Sequence, residues 1–142
     1  MINLINGIAS TSSALNAERV RMEVISQNIA NANATDGPGG KPYQRQQVVF
    51  ETALKDQINA GNSVQAQTVQ VSRIETDKRP PRLMYQPGHP HANAEGMVSM
   101  PNINIHEEMV DLMSASRAYE ANLNVVKTAR NMALQTLSIG KR

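Results

Sequence analysis

Residues 104–140 read NIHEEMVDLMSASRAYEANLNVVKTARNMALQTLSIG, and the spacing of their apolar side chains decides the fold. Ile105, Leu112, Tyr119, Val126 and Ala133 recur every seven residues, with Met109, Ser116, Leu123, Arg130 and Leu137 between them. Eight of these ten places are apolar, counting Ala and Tyr. That is the seam pattern of a helix that packs lengthwise on another helix. The punctuation agrees. Asn104 followed by Glu107 fits a helix start, and Glu107, Glu108 and Asp111 set negative charge at the positive end of the macrodipole. Gly140 stands where a C′ glycine belongs, with basic Lys141 and Arg142 at the negative end. A helix over 104–139 would be about 54 Å long at 1.5 Å per residue.

The other end of the chain repeats the pattern. Leu4, Ile8, Thr11, Leu15, Glu18, Met22, Ile25 and Ile29 follow 3–4 spacing, and six of the eight are apolar. Ile5, Ala14, Ala17, Val20 and Val24 widen the apolar surface beyond one seam, so this helix needs more than one neighbour. Charge is sparse: Glu18, Arg19, Arg21 and Glu23. The helix should span about 3–33, ending where Asn28, Asn31 and Asn33 crowd the last turn. Asp36-Gly37-Pro38-Gly39-Gly40-Lys41-Pro42 cannot continue it.

Between the two lies a different kind of sequence. Gln46-Gln47-Val48-Val49-Phe50 reads as a short strand, and Thr52 to Ala60 as a short helical turn. Thr68-Val69-Gln70-Val71, extending towards Ile74, alternates like a strand up to Pro80-Pro81. Leu83-Met84-Tyr85 reads as a returning strand before Pro87-Gly88-His89-Pro90, and Met97-Val98-Ser99-Met100 as an extended piece before Pro101. The expected fold class is α+β: long N- and C-terminal helices paired as a coiled-coil-like rod, with a small β-rich middle insertion. Residues 1–35 and 104–142 form a discontinuous helical domain, and 36–103 the β-rich middle domain with long loops.

Composition narrows the function. One Phe, three Tyr and no Trp leave few aromatics for a compact core or ligand pocket, while eight Met suit adaptable helix seams. A net charge of +2 is close to balanced and gives no general case for nucleic-acid binding. The one basic cluster, Arg73, Lys78, Arg79 and Arg82, fits a solvated loop better than a docking patch for an acidic partner. Absence of Cys removes disulfides and Cys-based zinc sites. No apolar run is long enough to span a bilayer. Met1-Ile2-Asn3-Leu4-Ile5-Asn6-Gly7 lacks the basic and apolar regions of a cleaved signal, so export, if it occurs, is expected to leave this segment in place.

Chemistry finds little support. His89 and His91, with His106, Glu107 or Glu108, are the only candidates for a metal site, but two lie in a Pro/Gly loop and one in a helix's first turn. Ser10, Thr11, Ser12 and Ser13 lack an elbow and a base. Gly37, Gly39 and Gly40 lack the Lys-Ser/Thr of a phosphate loop. No catalytic, cofactor or metal residue is assigned, and no small-molecule substrate. The Asn-rich stretch 28–33 and the stretch 116–122 have two readings: an ordinary helix end and helix middle, or polar groups that fix register between packed helices.

The motifs then carry a resemblance. Ser26-Gln27-Asn28-Ile29-Ala30-Asn31-Ala32-Asn33 resembles the N-terminal motif of bacterial flagellar axial proteins, the rod, hook and filament-type family. The final block, Ala115-Ser116-Arg117-Ala118-Tyr119-Glu120-Ala121-Asn122, is similar to that family as well. Pro42-Tyr43-Gln44-Arg45, Tyr85-Gln86-Pro87-Gly88-His89-Pro90, Met100-Pro101-Asn102-Ile103-Asn104 and Glu108-Met109-Val110-Asp111-Leu112 resemble its proximal-rod branch. The resemblance implies a non-enzymatic subunit of the basal-body rod, exported without signal cleavage and assembling helically into a hollow tube across the periplasm. Implied partners are copies of itself, other rod proteins and the base formed by the MS ring and export gate. Expected subunit-interface residues are Leu15, Met22, Ile25, Ile29, Leu112, Tyr119, Leu123 and Val126, with Asn28, Asn31 and Asn122 for register. The competing class is a cytosolic helical-hairpin adaptor that closes as a dimer through the same stripes.

An apolar helix with so few charges lacks partners in isolation. Circular dichroism and NMR of dilute monomer should therefore show largely disordered terminal segments; well-protected helices there would contradict this.

Overall fold

The computed structural model describes residues 2–37, 40–59 and 62–140, with side chains left undescribed in 2–6, 54–59 and 62–67. Helix α1 spans Ile2–Ala30 and helix α2 spans Ile105–Ile139. They pack on each other. Asn28 meets Glu108, and Arg21 meets Asp111, so α1 runs down as α2 runs up and the pair is antiparallel. The fold is α+β, as the periodicity implies.

Helix starts and stops follow local chemistry. Asn104 has an extended backbone, and its side chain accepts from the His106 N–H while its amide donates to Glu107. This is the expected start. α1 gives way after Ala30 to a turn in which Asn31 and Ala34 N–H groups bond back to Gln27 and Asn31 carbonyls. Gly140 departs from expectation: its φ of −75° and ψ of −6° are right-handed, with its N–H bonded to Thr136 O. The last turn simply continues, and no left-handed cap forms. Lys141 and Arg142 lie outside the described residues.

The middle folds as two antiparallel two-stranded sheets. β1 (Gln46–Asn59) pairs with β2 (Asn62–Thr76) in one long hairpin, with an irregularity at Val49/Phe50. The helical turn expected over Thr52 to Ala60 is wrong. Thr52 to Asn59 continue β1, opposite Val69 to Asn62; Ala60 lies outside the described residues. Lys55, Asp56 and Gln57 have no strand preference, but pairing with β2 supplies a hydrogen-bond ladder that local propensity does not foresee. The hairpin packs along α1. β3 (Arg82–Tyr85) pairs with β4 (Met97–Met100) in the register Arg82–Met100 to Tyr85–Met97. Val98 is fully buried.

The loop joining β3 and β4 turns on Asn93 and Gly96. The Asn93 side chain accepts from the Glu95 and Met97 N–H groups, and Gln86 N–H donates to Gly96 O. Gly96 has a φ of +76°, and a Cβ there would stand 3.0 Å from the Tyr85 ring and 3.1 Å from Pro87 Cβ. Left-handed backbone and close approach both require glycine. Gly96→Ala should destabilise the β3–β4 unit by about 1–3 kcal/mol, read as an earlier urea midpoint; an unchanged midpoint would show that the turn relaxes freely.

Candidate subunit-interface surfaces and the junction behind them

The side chains that hold the two helices and the hairpin together meet at one polar point. Asn28 is buried at 1% exposure near the end of α1. Its amide donates to Gln46 O at 2.8 Å and to Glu108 Oε2 at 3.0 Å. Its carbonyl accepts from Gln46 N–H at 2.9 Å and from the Tyr43 hydroxyl at 3.1 Å. Both donors are used and the oxygen accepts twice, which is all that a carboxamide can do. Gln46 presents both a donor and an acceptor to it, so a rotated amide would break both contacts.

Glu108 completes the junction. It is also 1% exposed, and Arg45 Nε donates to its Oε1 at 2.6 Å. Asp111 lies 3.8 Å from Arg45 and 4.0 Å from Arg21. Burial, and then the nearby Glu108 carboxylate, push the Tyr43 phenol above its ordinary value. Tyr43 therefore stays a neutral donor to Asn28. A cleft of about 350 Å³ opens beside this cluster, with Val24, Ile25, Val48 and Phe50 as its apolar wall.

Glu108 was expected to complement the helix dipole and was weighed as a metal ligand, and Arg45 and Tyr43 were given no role beyond a motif. The structure assigns them the buried ion pair and a bonded phenol. A signal was present: Glu108 falls on the stripe of Leu112, Ala115 and Tyr119 at 3–4 spacing. A carboxylate on an apolar stripe needs a buried partner.

The expected interface residues occupy different depths. Ile25 is buried, while Leu15, Met22 and Ile29 on α1 and Leu112, Tyr119, Leu123 and Val126 on α2 are half-buried. The most deeply buried positions of the pair include the small residues Ala17 and Ala115, with Val24. Of the register candidates, Asn28 sits in the junction described above. Asn31 is half-buried and donates to Gln27 O one turn back. Asn122 is half-buried on α2. Much apolar surface remains open: Met109, Val110, Met113, Val125, Met132, Leu134, Leu137 and Ile139 of α2 are each about half exposed or more.

Other candidate chemistry is sparse. The His89 and His91 rings meet edge-on at 5.7 Å, and the His91 N–H donates to His89 Nδ1. Among the described residues, no three or more His, Cys, Asp or Glu gather as a metal site. None of the described helices is long and apolar enough to cross a membrane. In the basic cluster, Arg73 pairs with Glu75 and Arg79 with Asp77. Hydrogen bonds from the Arg79 side chain and backbone hold the Asp77 carboxyl below its ordinary range.

Helical ends joined through a polar junction, with apolar surface left over, define an assembling structural protein. Comparison with known proteins identifies which kind. Residues 8–38 match the family described as flagella basal body rod protein, and 94–139 match the flagellar basal body rod FlgEFG protein C-terminal family. The flagellar basal-body rod protein FlgC of Yersinia enterocolitica is 41% identical over 140 residues, covering 99% of this chain and all of that one. FlgC of Borreliella burgdorferi is 39% identical over 149 residues, 97% and 98% of the two chains. FlgC of Bacillus subtilis is 40% identical over 146 residues, covering 92% and 94%. The chain belongs to the FlgC family of flagellar basal-body rod proteins, and is a structural subunit of that rod.

Removing Glu108 takes away the closest partner of Arg45, leaving only Asp111 at 3.8 Å, and one acceptor of the Asn28 amide. Glu108→Ala should cost the assembled protein about 3–5 kcal/mol. The double change Glu108→Leu with Arg45→Met should recover part of it, the Asn28 amide still lacking one acceptor, and urea dissociation midpoints read both. Equal losses in the single and double variants would refute the pair's role.

Proposed function

We propose that this chain builds the rod by helical self-assembly, with both terminal helices packed as an inner layer around a channel and the hairpin and β3–β4 unit outside. The observation that carries this reading is surface area. The chain exposes 10366 Å², whereas a compact monomer of its mass would expose roughly 7200 Å². The excess, roughly 3000 Å², matches the area that obligate interfaces bury. At roughly 25 cal/mol per Å² of apolar surface, such seams are worth many kcal/mol before ordering costs are subtracted.

In this reading Leu15, Met22, Ile25, Ile29, Leu112, Tyr119, Leu123 and Val126 pack in seams within and between subunits. Asn28, Asn31 and Asn122 set register. The subunits' neighbours are copies of the same chain, other rod proteins and the base formed by the MS ring and export gate. The chain reaches the periplasm through the flagellar export apparatus without losing its N-terminal segment, and performs no chemistry.

Purified wild-type protein should form sedimenting assemblies, and Leu123→Glu should weaken association by at least about tenfold, or 1.4 kcal/mol. In cells the same variant should leave no rod and no motility. Electron cryo-microscopy of the assembly should place α1 and α2 along the channel; helices on the outer surface would overturn the layer assignment.

A further inference from the structure

Glu18 stands on the apolar stripe of α1, between Leu15 and Met22. Its side chain is 19% exposed, and its Oε2 is shielded from solvent without a hydrogen-bond donor. Arg21 lies 3.8 Å from that oxygen and is shared with Asp111 at 4.0 Å. Both distances are too long for a hydrogen bond. A carboxylate oxygen withdrawn from water needs a donor, and its own subunit supplies none among the described residues.

Arg117 is the opposite case. It is exposed on α2 and makes no hydrogen bond or ion pair with any described residue. It sits in the stretch 116–122, whose polar residues the junction does not use. The antiparallel pairing brings these two residues to one height. Asn28 meets Glu108; ten residues back along α1 is Glu18, and ten residues on along α2 is Ala118, next to Arg117. Lys127 and Arg130 stand about 14 and 18 Å further along at 1.5 Å per residue. Arg117 also faces away from α1. At 100° per residue it lies about 180° around α2 from Glu108 and about 200° from Ala115, both of which are buried.

One subunit therefore carries an acceptor short of a donor on α1 and, at the same height, an unpaired donor on the far side of α2. We propose that Arg117 of one copy donates to Glu18 of the copy beside it, and that this ion pair fixes the height at which neighbouring copies stand. The proposal rests on the self-assembly reading and adds what apolar stripes leave free, the axial offset, held here to within about one helical turn of 5.4 Å. A second copy is the occupant because the opposite charge and the matching height come from the same chain. The two surfaces differ, so the contact is heterologous, and each copy makes it once with each residue. Arginine suits the task, since its planar guanidinium can give a carboxylate two parallel bonds.

Charge reversal tests the contact. Glu18→Arg and Arg117→Glu, made separately, should each associate at least about tenfold more weakly than wild type by sedimentation. An equimolar mixture of the two should sediment as wild type does, because an alternating series joins opposite charges at every contact. The chain with both reversals should assemble as well. Glu18→Gln and Arg117→Gln keep the side chains' polarity in case reversal disturbs the helix pair: each should weaken association several-fold, and both together no more than the stronger single change. Rescue by the double reversal without rescue in the mixture would place the pair inside one subunit and overturn the proposal. So would additive losses from the two Gln changes, which would leave the Glu18 oxygen to water. Failure of wild-type protein to sediment would instead overturn the self-assembly reading itself.

Discussion

The arrangement of this molecule depends on one satisfied carboxamide. Asn28 joins the end of α1 to the first residue of β1 through two bonds to Gln46, to the segment before it through Tyr43, and to the start of α2 through Glu108. A buried polar group is costly unless every partner is in place, and a satisfied network accepts few alternatives. Sliding α2 by one turn would bring Glu108 away from both Asn28 and Arg45, leaving a carboxylate at 1% exposure uncompensated. The apolar stripes alone would tolerate such a slip, because Ile, Leu, Val and Met substitute for one another along a seam. The polar junction supplies the geometric selectivity that the stripes lack.

The apolar interior is small by comparison. The most buried apolar residues are Ala17, Val24, Ile25, Ala32, Val98 and Ala115, three of them alanines. Alanines let helices come close but bury little area each. The larger side chains Leu15, Met22, Leu112, Tyr119, Leu123 and Val126 remain half-buried, and Met109, Val110, Met113, Val125, Met132, Leu134, Leu137 and Ile139 of α2 are exposed. A two-stranded hairpin is also marginal by itself in water, and here it leans on α1. Each element is therefore well specified in direction and weakly held in isolation.

Periodicity made the helices legible. The spacing of Ile105, Leu112, Tyr119, Val126 and Ala133 marks a single face, and each of these residues is half-buried on α2. Asn104 with Glu107 located its start by a purely local rule. The hairpin was half legible: Val69 and Val71 alternate with polar residues, but Lys55-Asp56-Gln57 joins the strand only through its pairing with β2. Local pattern cannot report a partner that is distant in sequence. The same limit hid the junction. Arg45 and Glu108 are 63 positions apart, and neither carries a mark of pairing beyond Glu108's place on an apolar stripe. Asn28 stood out by composition, yet two of its four bonds go to backbone groups of Gln46, which sequence cannot display.

A polar junction at one end and apolar surface along the rest divide two tasks between two kinds of interaction. Hydrogen bonds are directional and lose most of their value when displaced by an ångström or two. Apolar burial is non-directional and scales with area. Fixing the α1–α2–β1 corner with directional contacts means that each copy takes the same shape once its two helices pair. Leaving area on α2 then gives association its driving force. Were the two exchanged, with large apolar residues at the corner and bonded amides along α2, each copy would bury its best surface internally and close on itself. The distribution found here, selective at the corner and adhesive along the helix, suits a subunit whose folding is completed by its neighbours.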